Sequence, residues 1–503
     1  MKLERGGNIW RRLYVPAFMA GVSLFYLLTL APTILWGDDA VFQRIAWESR
    51  TGPVGIDHWL WLQSARLFTY LPLGNVAYRV NLLSAVAGVL TLFFLYLAAH
   101  RLLKNRFAAA AAVLSFAVSH TFWTSAVRAE VYTIFTAFMA YLLFLWFSWR
   151  EDKPNSIFEA CFLFGLGMLS HQMMILMLPA FGLLLWQRRR WLSGRQWVLL
   201  LLAFLVGLLP FLIVIQENGG DRSLFDSLQA HFTRGGQFSE ALFDFSPGTL
   251  VRDAALWVGF LGLQFVGIAG LLAVPAFLEL GRRRFAGPWL ALLALYGTAV
   301  LFAFSYHVND QFVFYLPSYL VFALFVGKGW LVVEEKAAEL RPWARLRPFA
   351  NRLVVLFLIL FVPVVTYNLA PRLLDSAEMN PMGIRTLPGR EPNEFFIWPA
   401  KNGYTGAADY AHSALQNLPM DAVLIGDHTP IQPIWYLQVV EGMRPDVRLI
   451  AVEAGQDLGP IVARLEADKP VFLADNNGSY YNLRSITGAR LEPVGPIYRL
   501  LTD

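Results

Sequence analysis

The chain has 503 residues, of which 56% are hydrophobic and 15% aromatic, with a mean hydropathy of +0.48 and a formal net charge of +5. Its apolar blocks are long enough to cross a hydrocarbon core of about 30 Å, which makes it a polytopic membrane protein and excludes a water-soluble globule. The basic residues cluster between those blocks as orientation signals do, which sets aside a nucleic-acid partner, and the single cysteine, Cys161, sets aside an internal disulfide or a cysteine-built metal site.

Apolar runs read against basic connections predict about eleven membrane segments: 13–33, 80–100, 107–120, 132–149, 157–170, 172–186, 197–216, 254–278, 288–306, 312–333 and 353–370. The first run is too long for a signal peptide, lacks a small-residue cleavage site and is followed by many more spans, so it is expected to stay as a helix. Lys2, Arg5, Arg11 and Arg12 place the N-terminus in the cytoplasm. The clusters Arg101/Lys104/Arg106, Arg150/Lys153, Arg188/Arg189/Arg190, Arg282/Arg283/Arg284 and Lys336 to Arg352 then fall on the same side. That alternation holds only if 157–186 is two short helices meeting at Ser170-His171-Gln172. Such a hairpin is tolerated where its turn lines a polar cavity, which puts His171 near a polar site.

Three connections on the opposite side are long: 34–79, 217–253 and the tail from Pro371. The first opens with Trp36-Gly37-Asp38-Asp39-Ala40-Val41-Phe42, two adjacent acids at a membrane exit, and continues through aromatic and apolar residues (Trp59 to Phe68) that read as amphipathic surface helices. From Pro371 the composition turns soluble. Strand-like runs at 423–426, 447–452 and 471–474 alternate with helix-like segments near 406–417, 429–441 and 459–467, which predicts a small α/β domain over 371–503 following a membrane domain over 1–370. No glycine-rich phosphate loop follows any of those strands, and there is no internal repeat.

Transfer of a sugar from a phosphate to a hydroxyl needs a carboxylate to take the acceptor proton, donors for the leaving phosphate and apolar surface for a lipid. Asp38 or Asp39 is the candidate base, a role that contributes roughly 10²–10⁴ in rate; the alternative is that both acids cap the following helix. Glu130, in Arg128-Ala129-Glu130 between the third and fourth segments, is a second acid on the same side, with Arg128 as its partner. His171, His307, Asp310 and Gln311 fall at ends of segments on that side, where His and Gln can donate to phosphate oxygens and Asp310 can fix a histidine tautomer. Each can equally be a satisfied helix cap. Arg79 and Arg66 can grip a phosphate bidentately, or, for Arg79, snorkel to lipid head groups. A divalent cation held by paired acids and a histidine stays open, but no spacing specifies one and a DxD arrangement is absent from the first loop.

Four stretches carry a resemblance. They are Leu71-Pro-Leu-Gly-Asn-Val-Ala-Tyr-Arg79-Val-Asn81-Leu-Leu-Ser84, Thr121 to Thr133, Gly165-Leu-Gly-Met-Leu-Ser-His171, and Trp435-Tyr-Leu-Gln-Val-Val-Glu-Gly-Met-Arg444-Pro-Asp446-Val-Arg448. In these the chain resembles the transmembrane O-mannosyltransferase-like family of integral-membrane, GT-C type glycosyltransferases. The resemblance implies a GT-C fold of about eleven helices, a polyprenyl-phosphate sugar donor, inversion at the sugar carbon, no nucleotide sugar, and Asp38 as base with Asp39 beside it. Family members often carry Asp-Ser-Gly-Glu after the first span and His-Pro-Pro-Gly shortly after. This chain has Asp38-Asp39-Ala40-Val41 and Gly55-Ile56-Asp57-His58 there, which makes His58 a further substrate-side candidate.

The expected protein is therefore an inverting glycosyltransferase of a bacterial cytoplasmic membrane, surrounded by membrane lipids. It would move a sugar, mannose above others, to Ser/Thr of a secreted protein or to a lipid or cell-envelope glycan. A lipid or glycan transporter, which would place ionisable groups at mid-membrane in repeated halves with broken helices, and a membrane scaffold are the rivals.

Overall fold

The computed structural model describes residues 4–48, 57–150, 155–233, 248–308, 310–340, 348–466 and 469–502. Four described helices are each long and apolar enough to cross a bilayer: Val76–Leu103, Gly194–Asn218, Leu316–Glu339 and Ala350–Ser376. Two pairs pass only as broken spans, Arg106–Ala117 with His120–Ala126, bent by 72°, and Leu250–Gln264 with Ile268–Arg282, bent by 115°. Shorter apolar helices at Val15–Thr29, Tyr132–Ser148, Asn155–Gly167, Gln172–Gln187 and Pro288–Phe304 supply the other predicted segments.

Two of these long helices sit on the outside of the bundle. The apolar windows of Gly194–Asn218 and Ala350–Ser376 are only 28% and 17% buried, and Leu201, Leu205, Leu209, Phe357 and Phe361 point outward. Rows of exposed leucine and phenylalanine are stable only against another apolar phase, here the lipid of a multi-pass membrane protein. Inside the bundle, close packing replaces the hydrophobic drive that lipid removes. A Cβ added at Gly207 would stand 1.9 Å from the Phe162 carbonyl oxygen, so only glycine lets Gly194–Asn218 lie this close to Asn155–Gly167.

Two expectations are corrected. The run 254–278 is not one straight span: Gly267, at φ +72°, turns the chain before Ile268, and Gln264, buried at the end of the first half, accepts the Thr121 N–H at 2.8 Å. Likewise, 107–120 is not one helix. The chain bends at Val118-Ser119, where the Ser119 hydroxyl turns back to the Phe116 carbonyl at 2.7 Å, and the new helix starts at His120. The hairpin expected around His171 is present: Asn155–Gly167 ends, the chain turns, and His171 caps a 3₁₀ turn over Gln172–Met177 before Leu178–Gln187.

The first long loop holds helices Asp38–Glu48 and Trp59–Thr69, with Phe42 packed on Trp61 at 4.9 Å between ring centres. The C-terminal lobe is a five-stranded sheet in the order β2-β1-β3-β5-β4, formed by β1 (Val423–Asp427), β2 (Arg448–Val452), β3 (Val471–Leu473), β4 (Arg490–Val494) and β5 (Ile497–Leu501). β2, β1 and β3 are parallel, and β1 is buried along its whole length, as a strand covered on both faces must be. The β4–β5 hairpin, absent from the sequence reading, closes through the two-residue turn Gly495-Pro496. Helices Gly406–Asn417 and His428–Val440 match the expected ones, while the helix near 459–467 is a single turn, Gly459–Val462.

Candidate active site

The stretch that carries the two aspartates is fixed from behind by the helix Val76–Leu103. Asn81, fully buried there, donates to the carbonyls of Ala31 at 3.1 Å and Thr33 at 3.2 Å, and its oxygen accepts from Gln43 at 2.8 Å. One amide thus ties the end of the first membrane helix to the helix that begins at Asp38. Three residues further along, the Ser84 hydroxyl both accepts from the Glu130 N–H at 3.1 Å and donates to the Glu130 carbonyl at 3.2 Å. The spacing Asn81-x-x-Ser84 on one helix face therefore sets the two acidic segments side by side.

Asp39, Arg128 and Glu130 form a buried charged cluster. Arg128 Nη2 donates to Glu130 Oε1 at 2.8 Å, and its Nε lies 3.6 Å from Asp39 Oδ1, an ion-pair distance longer than a hydrogen bond. Asp39 is 3% exposed and Glu130 7%. Burial, opposed by the Arg128 charge and reinforced by Asp38, pushes the Asp39 carboxyl up to about 6. Burial likewise pushes Glu130 up to about 8, again against Arg128 and with Asp39, Asp38 and Asp310 adding to the rise. Burial thus raises both carboxyls above their ordinary range, while the Arg128 charge between them opposes the rise at each.

A second cation enters from the C-terminal lobe. Lys401 is 2% exposed; its ammonium donates to the Trp398 carbonyl and its backbone N–H to Thr29 at 2.9 Å. Burial and the neighbouring Arg128 push it down to about 7 while Asp39 pulls the other way. Trp123 joins the same point through its indole N–H on Thr29 Oγ1 at 3.1 Å.

Asp38 is different. Its side chain is 69% exposed, it opens the helix Asp38–Glu48, and it meets His428 Nε2 at 2.9 Å. The cluster therefore divides the pair: Asp39 is turned inward onto Arg128, and Asp38 outward to solvent and His428.

Of the remaining candidates, Asp310 contributes to the field at Glu130. His58 and His171 face one another at 4.9 Å between ring centres, with His171 also against Tyr132 and Phe135. His307 stands 3.0 Å from Asp253. Gln311 donates to the Ala303 carbonyl at 2.9 Å. Arg79 is spent on the carbonyls of Leu73, Thr69 and Gly74 at 2.7, 2.7 and 3.0 Å, so it braces the turn before its own helix. Arg66 donates to Gln63 at 3.2 Å. Among the described residues no three His, Cys, Asp or Glu side chains converge on a point where a metal ion would sit.

The sequence reading missed Lys401, His428 and the network behind them. Arg385 donates to both oxygens of Asp427 at 2.7 and 2.8 Å and lies 3.1 Å from Asp475, while the Tyr481 hydroxyl donates to Asp427 at 2.7 Å. Asp427 ends β1 and Asp475 follows β3, so this network marks the carboxyl edge of the parallel strands, the edge at which α/β sheets commonly hold ligands. An Asp-His pair placed directly between a strand and a helix was the available signal.

Residues 58–194 match the family model described as "Protein O-mannosyl-transferase TMEM260 N-terminal domain". Over 468 residues the chain is 24% identical to the protein O-mannosyl-transferase TMEM260 of Mus musculus; the match covers 87% of this chain and 62% of that relative, so the chain spans less than two thirds of its length. The fold is similar to that of ArnT from Cupriavidus metallidurans bound to undecaprenyl phosphate, with a TM-score of 0.57 at 13% identity over 97% of each chain. The apo state of the same ArnT gives 0.56 at 14% identity, covering 97% of this chain and 98% of the other. The GT-C membrane fold and the resemblance to O-mannosyltransferase-like proteins are thereby borne out.

Proposed function

We propose that this chain is an inverting glycosyltransferase that moves a sugar, mannose, from a polyprenyl phosphate to a Ser/Thr hydroxyl of a secreted protein. The observation that carries the reading is the division of the aspartate pair: an exposed Asp38 beside a buried Asp39–Arg128–Glu130 cluster, on a fold like that of a protein solved with undecaprenyl phosphate. A general base must touch its substrate, and only Asp38 is open to one. In this reading Asp38 takes the acceptor proton as the hydroxyl oxygen attacks the anomeric carbon. The bond from that carbon to the phosphate oxygen breaks, the phosphate leaves on its lipid, and the carbon inverts. Asp39 and Arg128 position the loop. His58 and His171 remain the donor-side candidates, as ring N–H donors to the phosphate.

We place the reaction on the extracytoplasmic side of a bacterial inner membrane. Asn81, beside the acids, and Arg101, in a basic connection, are twenty positions apart on one helix, roughly 30 Å. That is about the thickness of a bilayer core, and the basic end belongs in the cytoplasm.

The two sharply bent helix pairs favour a second reading, a lipid-linked glycan transporter. The charged cluster sits where three connections meet near helix ends, which supports the transferase. The test is transfer of radiolabelled sugar from polyprenyl-phosphate mannose into protein and lipid fractions by wild type and Asp38→Asn. Label that depends on Asp38 supports the transferase, and its fraction identifies the acceptor. Movement of the donor across vesicles without any transfer would replace it with the transporter.

A further inference from the structure

We infer that His428 of the C-terminal lobe is a positioning residue for the Asp38 carboxylate, so that the sheet domain completes the site built by the membrane helices. The inference rests on the transferase reading above. Asp38 and His428 are 390 positions apart in sequence, yet His428 Nε2 lies 2.9 Å from Asp38 Oδ1. An exposed aspartate at a helix start samples several rotamers, and one hydrogen bond from a fixed donor orients the plane of its carboxylate.

The donor is fixed. His428 opens the helix His428–Val440, and Asp427, the residue before it, caps that helix by accepting the Thr429 N–H at 3.3 Å. Asp427 is itself clamped by Arg385 and Tyr481. On the other side, the Gly37 N–H donates to the Thr429 carbonyl at 3.3 Å, so the residue before Asp38 is tied to the residue after His428. Gly37 has φ +61°, a left-handed turn that glycine takes without strain just before Asp38. Farther along the same two helices, Arg44 stacks on the Trp435 ring at 4.7 Å. A continuous line, Arg385 to Asp427 to His428 to Asp38, thus runs from the carboxyl edge of the sheet to the candidate base. An ionised Asp38 can only accept, so Nε2 is the donor of this bond, and the bond raises the histidine's pKa.

The full-length protein in lipid vesicles, as wild type, His428→Ala and His428→Gln, is assayed for initial rates with polyprenyl-phosphate mannose, with thermal unfolding measured alongside. His428 is more than half exposed, so both variants should fold with unchanged midpoints. The expected result is a kcat lowered by roughly 10- to 100-fold in His428→Ala with KM for the donor unchanged, and recovery of most of that loss in His428→Gln, whose amide N–H reaches a similar point. A kcat unaltered in His428→Ala, or an equal loss in both variants, overturns the positioning role while leaving the transferase reading intact. Absence of transfer by wild type overturns the transferase reading itself and this inference with it.

Discussion

Arg128 holds Asp39 in a place where an aspartate could not otherwise stay charged: the guanidinium is 3.6 Å from a carboxylate that is 3% exposed. Removing one partner of a buried pair leaves the other charge uncompensated, which typically costs about 3–5 kcal/mol. Arg128→Met should therefore lower the thermal midpoint of the purified protein markedly. Arg128→Lys should recover only part of it, because one ammonium cannot serve Asp39 and the Glu130 oxygen together as the forked guanidinium does. A midpoint in Arg128→Met equal to wild type would refute this account of the cluster.

Glu130 should show the opposite pH behaviour from that of a simple salt bridge. Its carboxyl is raised by burial to about 8 from an ordinary value of 4.5. Between those values the folded protein holds a proton that the unfolded chain has lost, so stability falls as pH rises through this window. Glu130→Gln lacks that titration. Its midpoint should therefore improve relative to wild type as pH goes from 5 to 8, whereas an ion-pair-dominated Glu130 would make the variant relatively worse.

Asn81 satisfies the buried Ala31 carbonyl, the part-buried Thr33 carbonyl and one amide, and nothing apolar can replace it. Asn81→Leu strands the Ala31 and Thr33 carbonyls and the Gln43 amide, each at about 1–3 kcal/mol when buried. The expected outcome is a destabilised protein whose 34–48 segment exchanges amide hydrogens faster than in wild type. Ser84→Ala, which removes a single hydroxyl from the Glu130 turn, should cost less. Equal exchange in Asn81→Leu and wild type would show that the loop is held elsewhere.

Much of this was legible in the chain and some was not, for physical reasons. Apolar runs located the helical segments because a span must be long and apolar enough to cross a bilayer, and the acid pair and Arg128-Ala129-Glu130 stood out because charge near a bilayer is expensive. Hydropathy is blind to bends that depend on one backbone angle, so the breaks at Ser119 and Gly267 were read through. Arg79 looked like a phosphate ligand because sequence records a cation but not the three carbonyls around it. Lys401 and His428 were invisible for a different reason: they reach the acids across more than 270 residues, and no local pattern reports such a contact. The β4–β5 hairpin was overlooked although Gly495-Pro496 marks its turn, since β4 carries Pro493 and an exposed face that dilute the strand pattern.

The two aspartates should separate in a paired experiment. Asp38 is exposed and packs little, so Asp38→Asn should keep the wild-type thermal midpoint while turnover falls by roughly 10²–10⁴, the usual contribution of a positioned base. Asp39→Asn keeps the shape but removes the charge facing Arg128, so it should lower the midpoint, and its loss of turnover should accompany that loosening of the loop. Measured together, unfolding and single-turnover transfer distinguish the roles: a stable, inactive Asp38→Asn beside a destabilised Asp39→Asn is the expected pattern. If Asp39→Asn were instead the stable, inactive variant, the base would be the buried aspartate, and substrate binding would have to open the cluster and release Arg128 before transfer.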